Sequence, residues 1–123
     1  EQSPLVIMDA DRIRQVLINL IQNAADAVEE TTSPKIGVRV FADDDHAFVS
    51  VNDNGIGIDP DIQSRIFDPL FTTKGDKGLG LGLDICKRII DAHSGKLTCT
   101  STTQAGTTFT VALPLNPPDF NID

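Results

Sequence analysis

Asp53-Asn54-Gly55-Ile56-Gly57 follows an alternating apolar run, and a second glycine string, Gly78-Leu79-Gly80-Leu81-Gly82, comes about twenty residues later. A carboxylate held by glycine turns can accept a hydrogen bond from an exocyclic amine such as adenine N6. Stacked backbone N–H groups that open a helix suit a polyphosphate. One chain carrying both implies a nucleotide site. Asp-Asn-Gly is also a common turn, so the two strings count together and neither counts alone.

The segments on either side supply a frame. Ile36, Val38 and Val40 alternate, then Ala47, Val49 and Val51 after the acidic turn Asp43-Asp44-Asp45, which predicts a β-hairpin leading into Asp53. Before it, Ile13, Val16, Leu17, Leu20, Ala24 and Ala27 form one stripe at 100° per residue, predicting an amphipathic helix from 11 to about 29 with Asp9 or Asp11 as its cap. Leu5-Val6-Ile7-Met8 reads as a short strand ahead of it. Beyond Gly57, Asp59-Pro60 starts a short helical turn reaching Ile66, with Pro60 suited to the first helical position. Residues 68 to 78 lack periodicity and read as a long loop of the kind that forms lids. Leu83, Cys86, Ile89 and Ile90 predict a second helix ended by Ser94-Gly95. Lys96 to Ser101 and Thr107 to Leu113 then predict a hairpin turning at Gly106.

Composition narrows the partners. The 123 residues suit one domain, and 18 acidic against 10 basic side chains give a net charge of −8. Such a chain would be repelled by a nucleic-acid duplex or an anionic membrane. No run approaches a membrane span or a signal peptide. Cys86 and Cys99 have no metal or redox spacing and sit at apolar positions, so buried reduced thiols are expected. The chain begins with Glu, as an excised piece of a longer protein would, and residues 116–123, with Pro117-Pro118, read as a linker or tail after a domain of residues 1–115.

On the first predicted helix, Asn19 and Asn23 stand one turn apart at the edge of the apolar stripe. Their amide oxygens are hard ligands of the kind Mg²⁺ takes alongside substrate phosphates. A buried Asp53 would favour the adenine amine and repel the guanine carbonyl, so ATP should outcompete GTP. Lys74 and Lys77, with Arg65 at the far end of the loop, offer the local positive charge a polyanion needs in an acidic domain.

These motifs resemble those of a known family. Asn19-Leu20-Ile21-Gln22-Asn23-Ala24-Ala25-Asp26-Ala27 resembles the N box of sensor histidine kinases, and Asp53-Asn54-Gly55-Ile56-Gly57 the G1 box. Ile66-Phe67-Asp68-Pro69-Leu70-Phe71 is similar to the F box, Gly78-Leu79-Gly80-Leu81-Gly82-Leu83 to the G2 box, and Gly106-Thr107-Thr108-Phe109 to the closing Gly-Thr-x-Phe segment. Phe71-Thr72-Thr73-Lys74 resembles the nitrogen-regulation and dicarboxylate-sensing group in particular. The resemblance implies an α+β fold, the Bergerat two-layer sandwich, with helices on one face of a mixed sheet.

The resemblance also assigns roles. It makes Asn23 the Mg²⁺ ligand, Asn19 its companion near the phosphates and Asp53 the adenine anchor, with Gly55 and Gly57 turning under the base. Lys77 and the amides around Gly80 and Gly82 would meet phosphate, Thr107 or Thr108 would support the adenine end, and Phe67 and Phe71 would hinge the lid. Asp26, Ile58, Thr73, Lys74, Gly78, Leu79, Leu81 and Leu83 complete the implied contact set, although Leu79 lacks the hydroxyl many relatives have there. Asn19, Asn23 and Lys77 are the implied catalytic residues.

The implied reaction is transfer of the ATP γ-phosphoryl group to a histidine on a dimerisation and phosphoacceptor domain absent from this chain, and onward to a response regulator. The parent would be a homodimer with this domain in the cytoplasm, an arrangement open to a membrane anchor elsewhere in the parent. The same fold serves gyrase-, chaperone- and mismatch-repair-type ATPases, where a Glu at the Asn19 position activates water. An amide cannot take that proton, and loss of a general base costs about 10² to 10⁴ in rate. His46 and His93 have no acidic helical neighbour of the phosphoacceptor kind and suit surface or capping roles.

Overall fold

In the computed structural model, residues 9–68 and 82–115 are described. Helix α1 spans Ala10–Ala27, followed by strands β1 (Ile36–Ala42) and β2 (His46–Asp53) and the short helix α2 (Pro60–Gln63). Helix α3 (Leu83–Ala92) and strands β3 (Lys96–Thr102) and β4 (Gly106–Pro114) complete the fold. The four strands form one sheet in the order β1-β2-β4-β3, each neighbouring pair antiparallel. The expected strand Leu5–Met8, the expected lid beyond Asp68 and the expected tail lie outside the described residues.

Helices α1 and α2 each start where an aspartate side chain can close their free N–H groups. Asp9 Oδ1 accepts from Asp11 N at 3.1 Å and Arg12 N at 3.3 Å, which makes Asp9 the cap of α1. Asp59 caps α2 by accepting from Asp61 N at 3.0 Å, with Pro60 in the first turn. α3 ends at His93, where Ser94 takes a left-handed φ of 61°. His93 Nδ1 lies 2.8 Å from Ile89 O, and Nε2 accepts from Asp9 N at 2.9 Å. That ring joins the end of α3 to the start of α1, a structural role rather than a phosphoacceptor's.

α1 and α3 cover one face of the sheet. Val16, Leu20 and Ala24 of α1 meet Cys86, Ile89 and Ile90 of α3 over Val51, Leu97, Phe109, Val111 and Leu113. The alternation in β1 has a different outcome. Val38 and Val40 pair with Val51 and Val49 and so share their face, yet they are 54% and 66% exposed. α1 packs on β2 and β4, and β1, an outer strand of the four, lies to one side of it.

Candidate functional site

The ends of α1 and β2 converge on the β3–β4 turn. Ile56 N donates to Ala27 O at 3.2 Å, and Gln104 N donates to Ile56 O at 2.6 Å, so the Asp53–Gly57 turn is tied on both sides. Two glycines make this closeness possible. A Cβ on Gly55 would run into the Ala27 carbonyl, and one on Gly57, whose φ is +75°, into the Thr102 carbonyl. Asn54, unassigned from sequence, accepts from Lys35 N at 2.8 Å and donates to Ser33 O at 2.9 Å, pinning the turn to the loop before β1.

Asp53 is half-buried, and its Oδ1 accepts from Gly55 N at 2.8 Å. Burial pushes its carboxyl above the ordinary range, while hydrogen bonds from the Gly55 and Thr107 amides partly offset the shift. Thr107 is Asp53's register partner on β4 and is buried. Thr108 pairs with Asn52 and Thr100 and therefore faces the opposite side of the sheet. Of the two threonines, Thr107 is the one placed beside Asp53, and Thr108 lies on the other face of the sheet.

Ser101 was missed in the sequence. Its Oγ accepts from Ile58 N at 2.8 Å, donates to Gly106 O at 3.0 Å and lies 2.8 Å from Thr107 Oγ1. A polar residue in register with Leu97 and Cys99 on the helix-facing side of β3 was the available signal. Cys99 and Phe67 line a groove of about 410 Å³ with Pro60, Gln63 and Ser64. Burial, with the Asp53 charge nearby, raises the Cys99 thiol to about 11, so it stays protonated and inert at neutral pH. Both cysteines are free thiols, Cys86 buried and Cys99 half-buried.

On α1, Asn19 is only 3% exposed. Its Oδ1 accepts from Gln15 Nε2 at 3.3 Å, and its Nδ2 donates to Cys86 Sγ of α3 at 3.4 Å. The residue at the water-activating position is thus a buried amide with both ends engaged. Asn23, one turn on, is half-buried, and Asp26 is exposed. Ile58 and Leu83 pack partly buried against the core, and Gly82 caps α3 through its carbonyl, accepting from Ile85 N at 3.1 Å. Phe71, Thr73, Lys74, Lys77, Gly78, Leu79, Gly80 and Leu81 lie outside the described residues.

Residues 8–117 match the family described as histidine kinase-, DNA gyrase B- and HSP90-like ATPase, and the chain belongs to that family. Within it, this is a catalytic, ATP-binding domain of the sensor histidine kinase kind. It is 43% identical over 117 residues to the signal transduction histidine-protein kinase AtoS of Escherichia coli, covering 95% of this chain and 19% of AtoS. It is 37% identical to the sensory histidine kinase/phosphatase NtrB of Vibrio alginolyticus, covering 91% of this chain and 34% of NtrB. The catalytic domain of histidine kinase ThkA superposes with a TM-score of 0.78 at 40% identity, covering 91% of this chain and 73% of that one. ThkA has also been solved in complex with the response regulator TrrA. The chain therefore spans about a fifth to a third of these curated relatives. No helix among the described residues is long and apolar enough to cross a membrane.

Proposed function

We propose that this domain binds Mg·ATP and transfers the γ-phosphoryl group to a histidine on a separate dimerisation and phosphoacceptor domain, from which a response regulator takes it. The observation that carries the reading is Asp53, a partly desolvated carboxylate held by the Gly55 and Thr107 amides at the end of β2. That geometry suits an amine-bearing base. Asn19 carries the choice of transferase over hydrolase, because a buried amide committed to Gln15 and Cys86 is no general base. Phosphoryl transfer asks mainly for positioning and charge stabilisation, and the nucleophile can come from another domain. Residues 1–115 would form that domain and 116–123 a connecting tail, within a homodimeric parent.

The donor chemistry fits Mg²⁺. The described residues hold no cluster of three acidic, His or Cys ligands, and Asn23 offers a neutral hard oxygen on the same flank as Asn19. One amide oxygen leaves most of the coordination to water and phosphates, the arrangement Mg²⁺ favours. The metal would neutralise phosphate charge. Lys77 and the glycine amides at 78, 80 and 82 would hold the phosphates, and Asn19 would brace α1 beside them. The test is a calorimetric titration of the chain with a non-hydrolysable ATP analogue and Mg²⁺, beside Asp53→Ala. The expected result is micromolar-range binding, weakened about ten- to a hundredfold in the variant. Phosphotransfer to an added helical domain should follow, whereas absence of any binding by the parent overturns the reading.

A further inference from the structure

Ser101 lies where three segments cross, and its hydrogen bonds can be assigned by counting protons. A hydroxyl has one proton and two acceptor lone pairs. The Gly106 carbonyl can only accept, so it takes the Ser101 proton. The Ile58 N–H can only donate, so it fills one lone pair. At 2.8 Å, Thr107 Oγ1 is then left with the donor's role toward Ser101. With its proton spent, the Thr107 oxygen has only lone pairs to offer any other group. Asp53, its register partner on the same face, likewise offers a ligand acceptors alone when ionised.

We propose that Ser101 is a specificity-determining positioning residue: by accepting the hydrogen bond that the Thr107 hydroxyl donates, it makes the base end of the site an all-acceptor surface that selects a base bearing an amino group and rejects one bearing a carbonyl. This rests on the nucleotide reading above and assigns the selectivity to two residues acting together with Asp53. Ser101 itself acts through Thr107. When Ser101 loses its oxygen, the Thr107 hydroxyl is free to rotate and donate. A carbonyl at the base edge then finds a partner, and the discrimination falls.

The experiment compares ADP with IDP, which differ at the six-position by amine against carbonyl, titrated with Mg²⁺ into the intact chain. The parent should prefer ADP. Ser101→Ala should lower the ADP-to-IDP affinity ratio by about three- to tenfold, the range of one neutral hydrogen bond. Ser101→Thr, which keeps the hydroxyl, should restore the ratio. In a Thr107→Val background, Ser101→Ala should leave the ratio unchanged, because no hydroxyl remains to turn. Thr107→Val alone should weaken ADP and spare IDP, which decides the matter even where Ser101→Ala fails to fold.

A uniform loss of both nucleotides in Ser101→Ala would show a merely structural residue and overturn the proposal. So would a loss in Thr107→Val that falls mainly on IDP, since only a donating hydroxyl would favour the carbonyl. A parent that binds neither nucleotide overturns the nucleotide reading itself, a result distinct from binding without a change in ratio.

Discussion

The proposed base end of the site, around Asp53, and the α1 flank proposed to meet the phosphates, around Asn19 and Asn23, are built by different means. At the base end the chain holds itself: Ala27, Ile56 and Gln104 exchange main-chain hydrogen bonds, and Gly55 and Thr107 amides fix Asp53. On the α1 flank the described groups are side-chain amides, Asn19 buried between helices and Asn23 half-exposed. A backbone-built site is rigid before ligand arrives and tolerates little change of shape. A flank of amides leaves more of the binding to ions and ligand. Perturbations should therefore be abrupt at the base end and graded, magnesium-dependent, on α1.

The largest effect should come from Gly55→Ala. The added Cβ meets the Ala27 carbonyl, a backbone atom that cannot swing aside, so the Ile56–Ala27 hydrogen bond must yield. Overpacking of this kind costs about 1 to 3 kcal/mol, and nucleotide binding should vanish with the turn. Denaturant melts and calorimetry on the same sample would show it. Retained binding would mean that the base end is softer than its hydrogen bonds indicate.

Asp53→Asn separates charge from shape. It keeps an oxygen for Gly55 N but places an amide NH₂ where the base amine would donate, so ATP affinity should fall about ten- to a hundredfold. Stability should move the other way. Because burial raises the Asp53 carboxyl, its contribution to folding is fully present below the ordinary value of 3.8 and is lost as pH rises through the folded value. The Asn variant should accordingly be more stable than the parent near about pH 7 and lose that advantage near about pH 3.5. Urea midpoints at the two pH values measure the difference, and equal midpoints at neutral pH would remove the case for a desolvated carboxylate.

On α1 the expected loss is smaller and conditional. Asn23→Ala should weaken ATP by roughly tenfold with Mg²⁺ present and leave binding in a chelator unchanged. A loss that persists without metal would make Asn23 a direct phosphate or structural residue.

The two regions also differed in how much of them could be read in advance. The stripe from Ile13 to Ala24 and the Asp9 cap are local, as are both hairpin turns, and α1, the β1–β2 pair and the β3–β4 pair formed where periodicity put them. The glycines of the Asp53–Gly57 turn were legible because a positive φ or a close approach leaves glycine few substitutes. Three features depend on distant segments and were hidden. Asn19's partner, Cys86, lies 67 positions away, and Ser101 gains its role from Ile58 and Gly106. Val38 and Val40 alternate like core residues, but burial required a helix above them, and α1 lies over β2 and β4.

The smallest expected effect tests the finest part of the comparison. Thr107 and Thr108 are chemically alike and adjacent, and only strand register distinguishes them: Asp53 pairs with Thr107, Asn52 with Thr108. Alternation then sends Thr108 to the face that neither α1 nor α3 covers, beside Thr100. Thr108→Ala should change nucleotide affinity by less than about twofold and stability by no more than about 0.5 kcal/mol, as for a half-buried position on a face no helix covers. The same truncation at Thr107 removes an oxygen bonded to Ser101 in the buried face and should cost about 1 to 3 kcal/mol. If Thr108→Ala weakened ATP as much as Thr107→Ala does, β4 would have to slip by one residue when nucleotide binds. That slip would turn Phe109 and Val111 out of the core, so equal effects would overturn the register together with the site built on it.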